Sequence, residues 1–104
     1  MNKNDLIRKP DIKKEIKRRL KENDRHVYQK DIDFIVDQVF SIIQEEVENG
    51  NKIQITGFGS FSSTDVKRYY GRDPQKPTNV IAIPAHKRVT FSSGKVFKDR
   101  INNK

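Results

Sequence analysis

The feature that most constrains the fold is an apolar face with helical spacing in the middle of the chain. Its members recur every three or four residues and are Ile32, Ile35, Val36, Val39, Phe40, Ile43 and Val47. This period predicts a helix with one wide buried face, ended by Asn49 and Gly50. Phe34 and Ile42 lie off that face, so the helix is apolar over more of its surface than one small core covers. A second contact surface for this helix is therefore predicted.

The composition supports this prediction. The 104 residues suffice for one domain, but only 33% are hydrophobic and 35% are charged. An isolated chain thus has little apolar surface to offset the entropy lost on folding, and we expect an oligomer. The lack of cysteine excludes disulfides, thiolate metal ligands and a cysteine nucleophile. No apolar run reaches the roughly 18 residues that cross a bilayer, and no signal-peptide apolar region opens the chain, so we expect a soluble intracellular protein.

Period-two patterning follows the central helix. It predicts a β-hairpin that reverses at Gly57–Gly59, with Phe58 and Phe61 as core aromatics. A nucleotide-binding glycine loop needs a helix after it, whereas a strand follows here. A three-stranded antiparallel sheet and a closing basic helix are predicted from 52–56, the strand at Phe61, 88–91 and 94–101. With a first helix over 10–22, begun by Pro10, the fold class is α+β.

A long β-ribbon arm, at about residues 62–85, is predicted to protrude from the sheet. Its ascending part lacks the apolar alternation that would hold a face against a core, and residues 79–83 can pair back along it from a tip at 72–78. Because two-stranded ribbons are marginal alone in water, the arm is expected to move until it lies against a partner. On local chemistry Pro74 is most simply a turn residue, and a rigid wedge between base pairs is the alternative.

Basic charge is segregated along the chain. Residues 1–30 carry 11 basic and 5 acidic side chains, residues 31–56 carry 1 and 6, and residues 57–104 carry 10 and 3. Two basic regions around an acidic one favour a surface that faces a polyanion, and a basic ribbon suits a DNA groove. For the charge pattern, the alternatives are plain solvation and, after it, an anionic membrane surface, and for the ribbon the alternative is a solvated hairpin. A solvated polar face of the central helix is expected from Asp31, Asp33, Asp37, Glu45, Glu46 and Glu48.

The remaining candidate residues argue against catalysis or leave their role open. Tyr69 and Tyr70 fit base stacking and cross-strand packing equally well. His26 and His86 lie 60 positions apart with no ligand spacing between them, so surface histidines are expected rather than a metal site. No nucleophile with a base, and no carboxylate pair in a cleft, can be picked out. We therefore expect no enzyme and no cofactor.

Three motifs in order, at matching spacing, resemble the bacterial HU and integration host factor family. They are Gly57-Phe58-Gly59-Ser60-Phe61, Gly71-Arg72-Asp73-Pro74-Gln75, and Ile83-Pro84-Ala85-His86-Lys87 with Phe91, Gly94 and Lys95. The similarity covers roughly residues 28–101. It implies an intertwined dimer whose central helices cross, and two arms that wrap the minor groove with Pro74 wedged at a kink, which is a mechanism already described for this family.

The resemblance also implies the site and the partners. DNA contacts are expected from Lys67, Arg68, Arg72, Pro74, Lys76, Lys87, Arg88, Lys95 and Lys98. The dimer core is expected to contain Ile35, Val36, Val39, Phe40, Ile43, Phe58, Phe61 and Phe91. The implied partners are double-stranded DNA and a second copy of the chain or a paralogous subunit, with no membrane and no small-molecule substrate. The implied function is largely sequence-tolerant bending and compaction of DNA on the nucleoid in the cytoplasm.

The chain departs from the family's pattern in three places. Arm positions that are usually basic hold Thr64, Val66 and Tyr69, so fewer phosphate contacts are expected there. The tip is one residue longer than usual and contains a second proline, Pro77. Residues 1–9 form an extension ahead of a single domain over 10–104.

Two rival functions follow from the same residues. A scaffold whose basic face binds an acidic protein or RNA is the first, and a preference for duplex RNA over bent DNA would favour it. An enzyme is the second, and turnover of nucleic acid by a pure sample would favour it.

Overall fold

Three helices and five strands follow one another in residues 5–102, the part of the chain that the computed structural model describes. In chain order they are α1 (Lys9–Glu22), α2 (Gln29–Glu48), β1 (Ile53–Ile55), β2 (Gly59–Val66), β3 (Tyr69–Arg72), β4 (Val80–Ile83), β5 (His86–Ser93) and α3 (Lys95–Asn102). The chain forms two compact units, which divide between Ile42 and Ile43. Because α2 runs through this division, the single domain over 10–104 stays a prediction. The first four residues of the predicted extension and the last two of the predicted domain lie outside the described residues.

The first helix begins one residue earlier than predicted. Lys9 is its first residue and Pro10 its second, where a missing amide hydrogen costs nothing because first-turn amides have no acceptor within the helix. The Arg8 amide donates a hydrogen bond to the Asp11 carboxylate at 3.0 Å. This bond satisfies one of the amides that precede the first turn, and it places a negative charge at the helix N-terminus.

Ion pairs join α1 to the first half of α2. Lys13 Nζ lies 3.1 Å from Asp37 Oδ1 and 3.7 Å from Asp33 Oδ1, and Lys9 Nζ lies 3.3 Å from Asp37 Oδ1. Hydrogen bonds from these lysines, Lys13 foremost, lower the pKa of Asp37. The expectation of a merely solvated acidic face is therefore incomplete for Asp33 and Asp37, because the basic α1 lies within reach of both.

The wide apolar face of α2 is only partly buried within one chain. Its buried members are Ile32, Val36 and Val47. In contrast, Ile35 is 56% exposed, Val39 48% and Phe40 39%. Phe34 and Ile42, which lie off this face, are also exposed. The prediction of one continuous buried face is thus wrong for the single chain, which has too few apolar groups to cover it. Between residues 5 and 102, no helix is long and apolar enough to span a membrane.

The three-stranded sheet has the predicted antiparallel arrangement, in the order β1-β2-β5. Ile55 pairs with Gly59 across the hairpin, and Gly57 adopts a left-handed φ of 81° in the turn. Gly59 is buried, and a Cβ atom there would lie 2.5 Å from the Ser92 carbonyl oxygen and 2.8 Å from the Phe91 ring. Only glycine therefore fits where β2 passes β5 at this point.

Four phenylalanines form the aromatic core of the second unit. Phe58 stacks on Phe97 with ring centroids 5.1 Å apart and lies 5.3 Å from Phe91, which in turn lies 4.9 Å from Phe61. The sequence predicted the first hairpin aromatics but missed Phe97, because one aromatic in a short basic helix gives no periodic signal. Phe58 and Phe91 each stay exposed on one side.

The predicted arm is a second, two-stranded sheet of β3 and β4. Val66 faces His86 at the end of the β2-β5 ladder, and Tyr69 faces Ile83 at the start of the β3-β4 ladder. The step between these two pairs is three residues on each strand. The register is therefore the same on both sides of the gap.

Pro84 explains the gap between the two ladders. Residues 67–68 and 84–85 face each other there without belonging to a strand. Proline has no amide hydrogen to donate, so the ladder cannot continue through this position. The arm predicted over 62–85 is corrected accordingly, because residues 62–66 pair within the three-stranded sheet and the separate ribbon spans 69–83.

Candidate nucleic-acid interface

The residues predicted to contact DNA all lie in the second unit and are exposed. They fall into an arm-base group around the gap, a tip group and a group on α3. The arm-base group is Lys67, Arg68, Lys87 and Arg88, the tip group is Arg72, Pro74 and Lys76, and the α3 group is Lys95 and Lys98. At ~3.3 Å per residue, the seven steps from Lys67 to Pro74 span roughly 23 Å, which is long enough to follow a DNA groove.

The two basic residues of β5 point to opposite faces of the sheet. Arg88 pairs with Thr64, and Lys87 pairs with Asp65, a residue of opposite charge. Since side chains alternate along a strand, Lys87 shares the face of the phenylalanines, whereas Arg88 lies on the other face.

A hydroxyl-rich face surrounds Arg88, and the sequence analysis missed it. Hydroxyl residues occupy five of the alternate positions of β2 and β5 on this face, Ser60, Ser62, Thr64, Thr90 and Ser92, and Val66 and His86 follow at the arm end. The hydroxyl oxygens of Thr64 and Thr90 lie 3.4 Å apart. Hydroxyl groups bind phosphate oxygens in protein–DNA interfaces. The signal was the same period-two alternation that located the phenylalanines, with hydroxyl residues at the intervening positions.

The two arm tyrosines have different surroundings. Tyr69 pairs with Ile83 across the ribbon, which fits the cross-strand interpretation. Tyr70 is 66% exposed, and the guanidinium carbon of Arg68 lies 5.7 Å from its ring centroid. This distance is within the range of a cation–π contact. Tyr70 thus lies against the Arg68 guanidinium at the arm base and keeps much of its ring accessible.

The tip is a closed loop of five residues with Pro74 on its surface. The Asp73 amide donates to the Asn79 carbonyl at 3.1 Å, which continues the β3-β4 register by one pair. The Asp73 carboxylate accepts a hydrogen bond from the Gln75 amide at 2.9 Å. This Asx turn brackets Pro74 on both sides and leaves its ring exposed.

The tip cations differ in their contacts. Arg72 Nη1 donates a hydrogen bond to the Pro77 carbonyl oxygen at 2.9 Å. The Lys76 side chain is exposed, and no described acidic residue lies within ion-pair distance of it. Lys76 is therefore free to meet a phosphate, whereas part of the Arg72 guanidinium is already engaged.

The basic helices are partly neutralised by their own acids. Lys95 Nζ on α3 lies 2.8 Å from Asp99 Oδ2, whereas Lys98 has no acidic partner among the described residues. On α1, Arg18 binds Glu15 and Glu22, and its hydrogen bond holds the pKa of Glu15 at about 2. Charge along the sequence thus overstates the number of cations available to a polyanion.

The two histidines make local contacts. The His26 ring lies edge-on to Tyr28 with centroids 5.1 Å apart, and His86 Nδ1 lies 2.9 Å from the Pro84 carbonyl oxygen. The second of these contacts places His86 beside the gap at the arm base.

An apolar groove of about 530 Å³ opens between the last turns of α2 and the sheet. Ile43 and Val47 line one wall, and Phe61 and Val89 line the other. Two of these residues, Ile43 and Phe61, are in the predicted dimer core. Val89 is largely exposed, so the groove is an uncovered continuation of the aromatic core.

Comparison with known proteins shows that this chain is similar to bacterial DNA-binding proteins. The sequence profile of the family described as "Bacterial DNA-binding protein" matches residues 12–102, so the similarity begins in α1 rather than near residue 28. The DNA-binding protein HU of Synechocystis is 35% identical over 101 residues, or 97% of this chain and 95% of its own. Integration host factor subunit alpha of Anaeromyxobacter is 43% identical over 68 residues, or 65% of this chain and 59% of its own.

A solved structure is also similar to this chain. The Anabaena HU–DNA cocrystal structure superposes with a TM-score of 0.78 at 28% identity, covering 94% of this chain and 100% of that chain. The profile match over residues 12–102 includes the three-stranded sheet and the arm. The chain therefore belongs to the HU and integration host factor family of bacterial DNA-binding architectural proteins.

Proposed function

We propose that two copies of this chain form a homodimer that grips duplex DNA between its arms and bends it. Each arm lies in the minor groove, and Pro74 enters between neighbouring base pairs as a rigid apolar wedge. The observation that carries the proposal is the tip itself. Pro74 is exposed at the end of a two-stranded ribbon, bracketed by hydrogen bonds and flanked by cations. Such a wedge unstacks a base step and kinks the duplex.

Affinity comes mainly from phosphate neutralisation in this proposal. The contributing side chains are Lys67, Arg68, Arg72, Lys76, Lys87, Arg88, Lys95 and Lys98, together with the hydroxyl-rich face of the sheet. Each neutralised phosphate lowers the slope of log affinity against log salt by about 0.9. Because the minor groove presents a degenerate hydrogen-bonding pattern, the proposed binding tolerates many sequences and responds chiefly to the ease of deformation. Nucleoid DNA in the cytoplasm is the proposed target.

The homodimer is proposed from the uncovered apolar surfaces. Ile35, Val39 and Phe40 remain exposed on α2, and the groove lined by Ile43 and Phe61 is open. A symmetric dimer uses the same patch on both copies, so crossing α2 helices cover these side chains reciprocally. Val36 is already buried within its own chain. In the proposed dimer core it supports the exposed side chains of α2 from the interior of that chain.

The association of two relatives with DNA supports the proposal. The Anabaena protein was crystallised with DNA, and the Synechocystis protein is described as a DNA-binding protein. Both are similar to this chain across nearly its whole length.

The test compares wild type, Pro74→Ala and a matched control, Pro10→Ala, which removes a proline outside the arm. Binding to intact, nicked and kinked duplexes is measured across a salt series, with end-to-end fluorescence transfer reporting the bend. We expect wild type and Pro10→Ala to bend DNA and to prefer the nicked or kinked forms, and Pro74→Ala to bind with a smaller bend. Equal bending by Pro74→Ala and wild type contradicts the wedge. Tighter binding to duplex RNA than to every DNA form favours the RNA-binding scaffold instead.

A further inference from the structure

We infer that Arg72 is a positioning residue of the arm tip. Its hydrogen bond to the Pro77 carbonyl holds the loop in the shape that presents Pro74, in addition to any contact of its charge with DNA. The hydrogen bond is a feature of the chain alone and needs no assumption about DNA, whereas its consequence for DNA bending rests on the proposed function.

The inference begins with the construction of the loop. Five residues separate Asp73 from Asn79, and the Asn79 amide also donates to the Lys76 carbonyl at 2.8 Å. The descending side of the loop is therefore a tight turn closed on itself. Pro77 lies inside this turn, and its ring restricts φ to about −65°. This restriction limits the directions in which the neighbouring backbone, including the Pro77 carbonyl, can point.

Arg72 is the side chain that ties this turn to the ribbon. It belongs to the last pair of the β3-β4 ladder, opposite Val80, and Nη1 reaches the Pro77 carbonyl oxygen at 2.9 Å. A hydrogen bond from a charged donor is shorter and stronger than a neutral one. The guanidinium group has five N–H donors in a fixed plane, so the bond to Pro77 leaves donors for a second partner.

The two sides of the tip are thus fixed by different residues. Asp73 brackets the ascending side through the Gln75 amide, and Arg72 fixes the descending side through Pro77. A two-stranded ribbon has no core to order its tip. Ordering the loop before it meets DNA removes part of the entropy cost of inserting the wedge. Without the Arg72 bond, the descending side loses its only side-chain hydrogen bond to the described ribbon, and Pro74 samples more directions.

Arg72→Met removes the charge and the donors while keeping a long side chain. Lys76→Met is the matched control, because it removes one charge from the same loop and no described hydrogen bond of a side chain. The first measurement is the backbone ¹⁵N relaxation of residues 73–79 in the DNA-free protein. We expect the order parameters at positions 76 and 78, on the descending side, to fall toward the values below about 0.6 that mark flexible backbone in Arg72→Met, and to stay at wild-type values in Lys76→Met.

The second measurement is DNA bending by the two variants under saturating conditions. Each variant is expected to lower the magnitude of the salt slope by at most about 0.9, since each loses one cation. Arg72→Met is expected to bend the duplex less than Lys76→Met does. Equal loop order in the two variants overturns the inference, whether or not wild type bends DNA. Equal bending by both also overturns it when wild type bends DNA. Failure of wild type to bend contradicts the proposed function alone, because the relaxation comparison still decides the role of Arg72.

Discussion

The exposed apolar side chains of α2 give a sharp prediction for Ile35→Ala. The Ile35 side chain is 56% exposed in the single chain, and we expect a second α2 helix to cover it. Truncation to alanine removes three carbon atoms, each worth about 0.8 kcal/mol when buried, of which about half is gained on association. The expected loss is about 1.3 kcal/mol per copy and about 2.6 kcal/mol per symmetric dimer, or roughly a 100-fold weaker dimer.

Sedimentation equilibrium over a range of protein concentrations measures this change. Leu6→Ala is the matched control, since Leu6 is 71% exposed and lies ahead of α1. We expect its dimer dissociation constant to equal that of wild type. The reasoning is refuted if Ile35→Ala dimerises as tightly as wild type, or if the wild-type chain is a monomer at micromolar concentrations. A mixed dimer with a paralogue would appear as monomeric pure protein that associates only when the paralogue is added.

Three further predictions concern the sheet, the ion pairs and the α3 cations. Gly59→Ala is expected to destabilise the protein by about 1–3 kcal/mol in urea unfolding, because its Cβ meets the Ser92 carbonyl, and an unchanged midpoint contradicts this close approach. Asp37→Asn is expected to lower the melting temperature at pH 7. Because the folded-state pKa of Asp37 is lowered, its stabilisation is complete above the ordinary carboxyl pKa and is lost as the pH falls through the folded-state value. The difference from wild type should therefore vanish in strong acid, and a constant difference at all pH values contradicts the ion pairs. Lys98→Met is expected to reduce the salt slope of DNA binding by about 0.9 and Lys95→Met by less, because Lys95 already has an acidic partner. Equal slopes for these two variants argue against this distinction.

Local patterns predicted the elements because each element is coded by neighbouring residues. The helical period located α2, and glycine located both its end and the first hairpin, where Gly50 and Gly57 adopt left-handed φ values of 88° and 81°. Period-two alternation located the sheet and two of its phenylalanines. These signals depend on side-chain direction within one element, so they need no knowledge of tertiary contacts.

The missed features depend on contacts between elements. Asp37 looks solvated when α2 is considered alone, and only the approach of α1 gives it two lysine partners. Likewise, the sequence indicates only that Arg72 is one more cation of the arm, because the Pro77 carbonyl lies beside it only in the folded loop. The break at Pro84 is different, because proline chemistry alone predicts a lost ladder bond there.

The gap between the two ladders makes the arm easier to bend at its base but leaves its strand register unchanged. Among the described residues, no backbone hydrogen bond joins residues 67–68 to residues 84–85, so the ribbon resists bending less at this gap than within either ladder. The register is nevertheless the same above and below it. An arm that bends at this gap changes its direction while every residue keeps its partner across the ribbon. In the proposed complex, one preformed arm reorients at this gap to follow duplexes of different curvature, with no strand slippage and no side chain transferred to the opposite face.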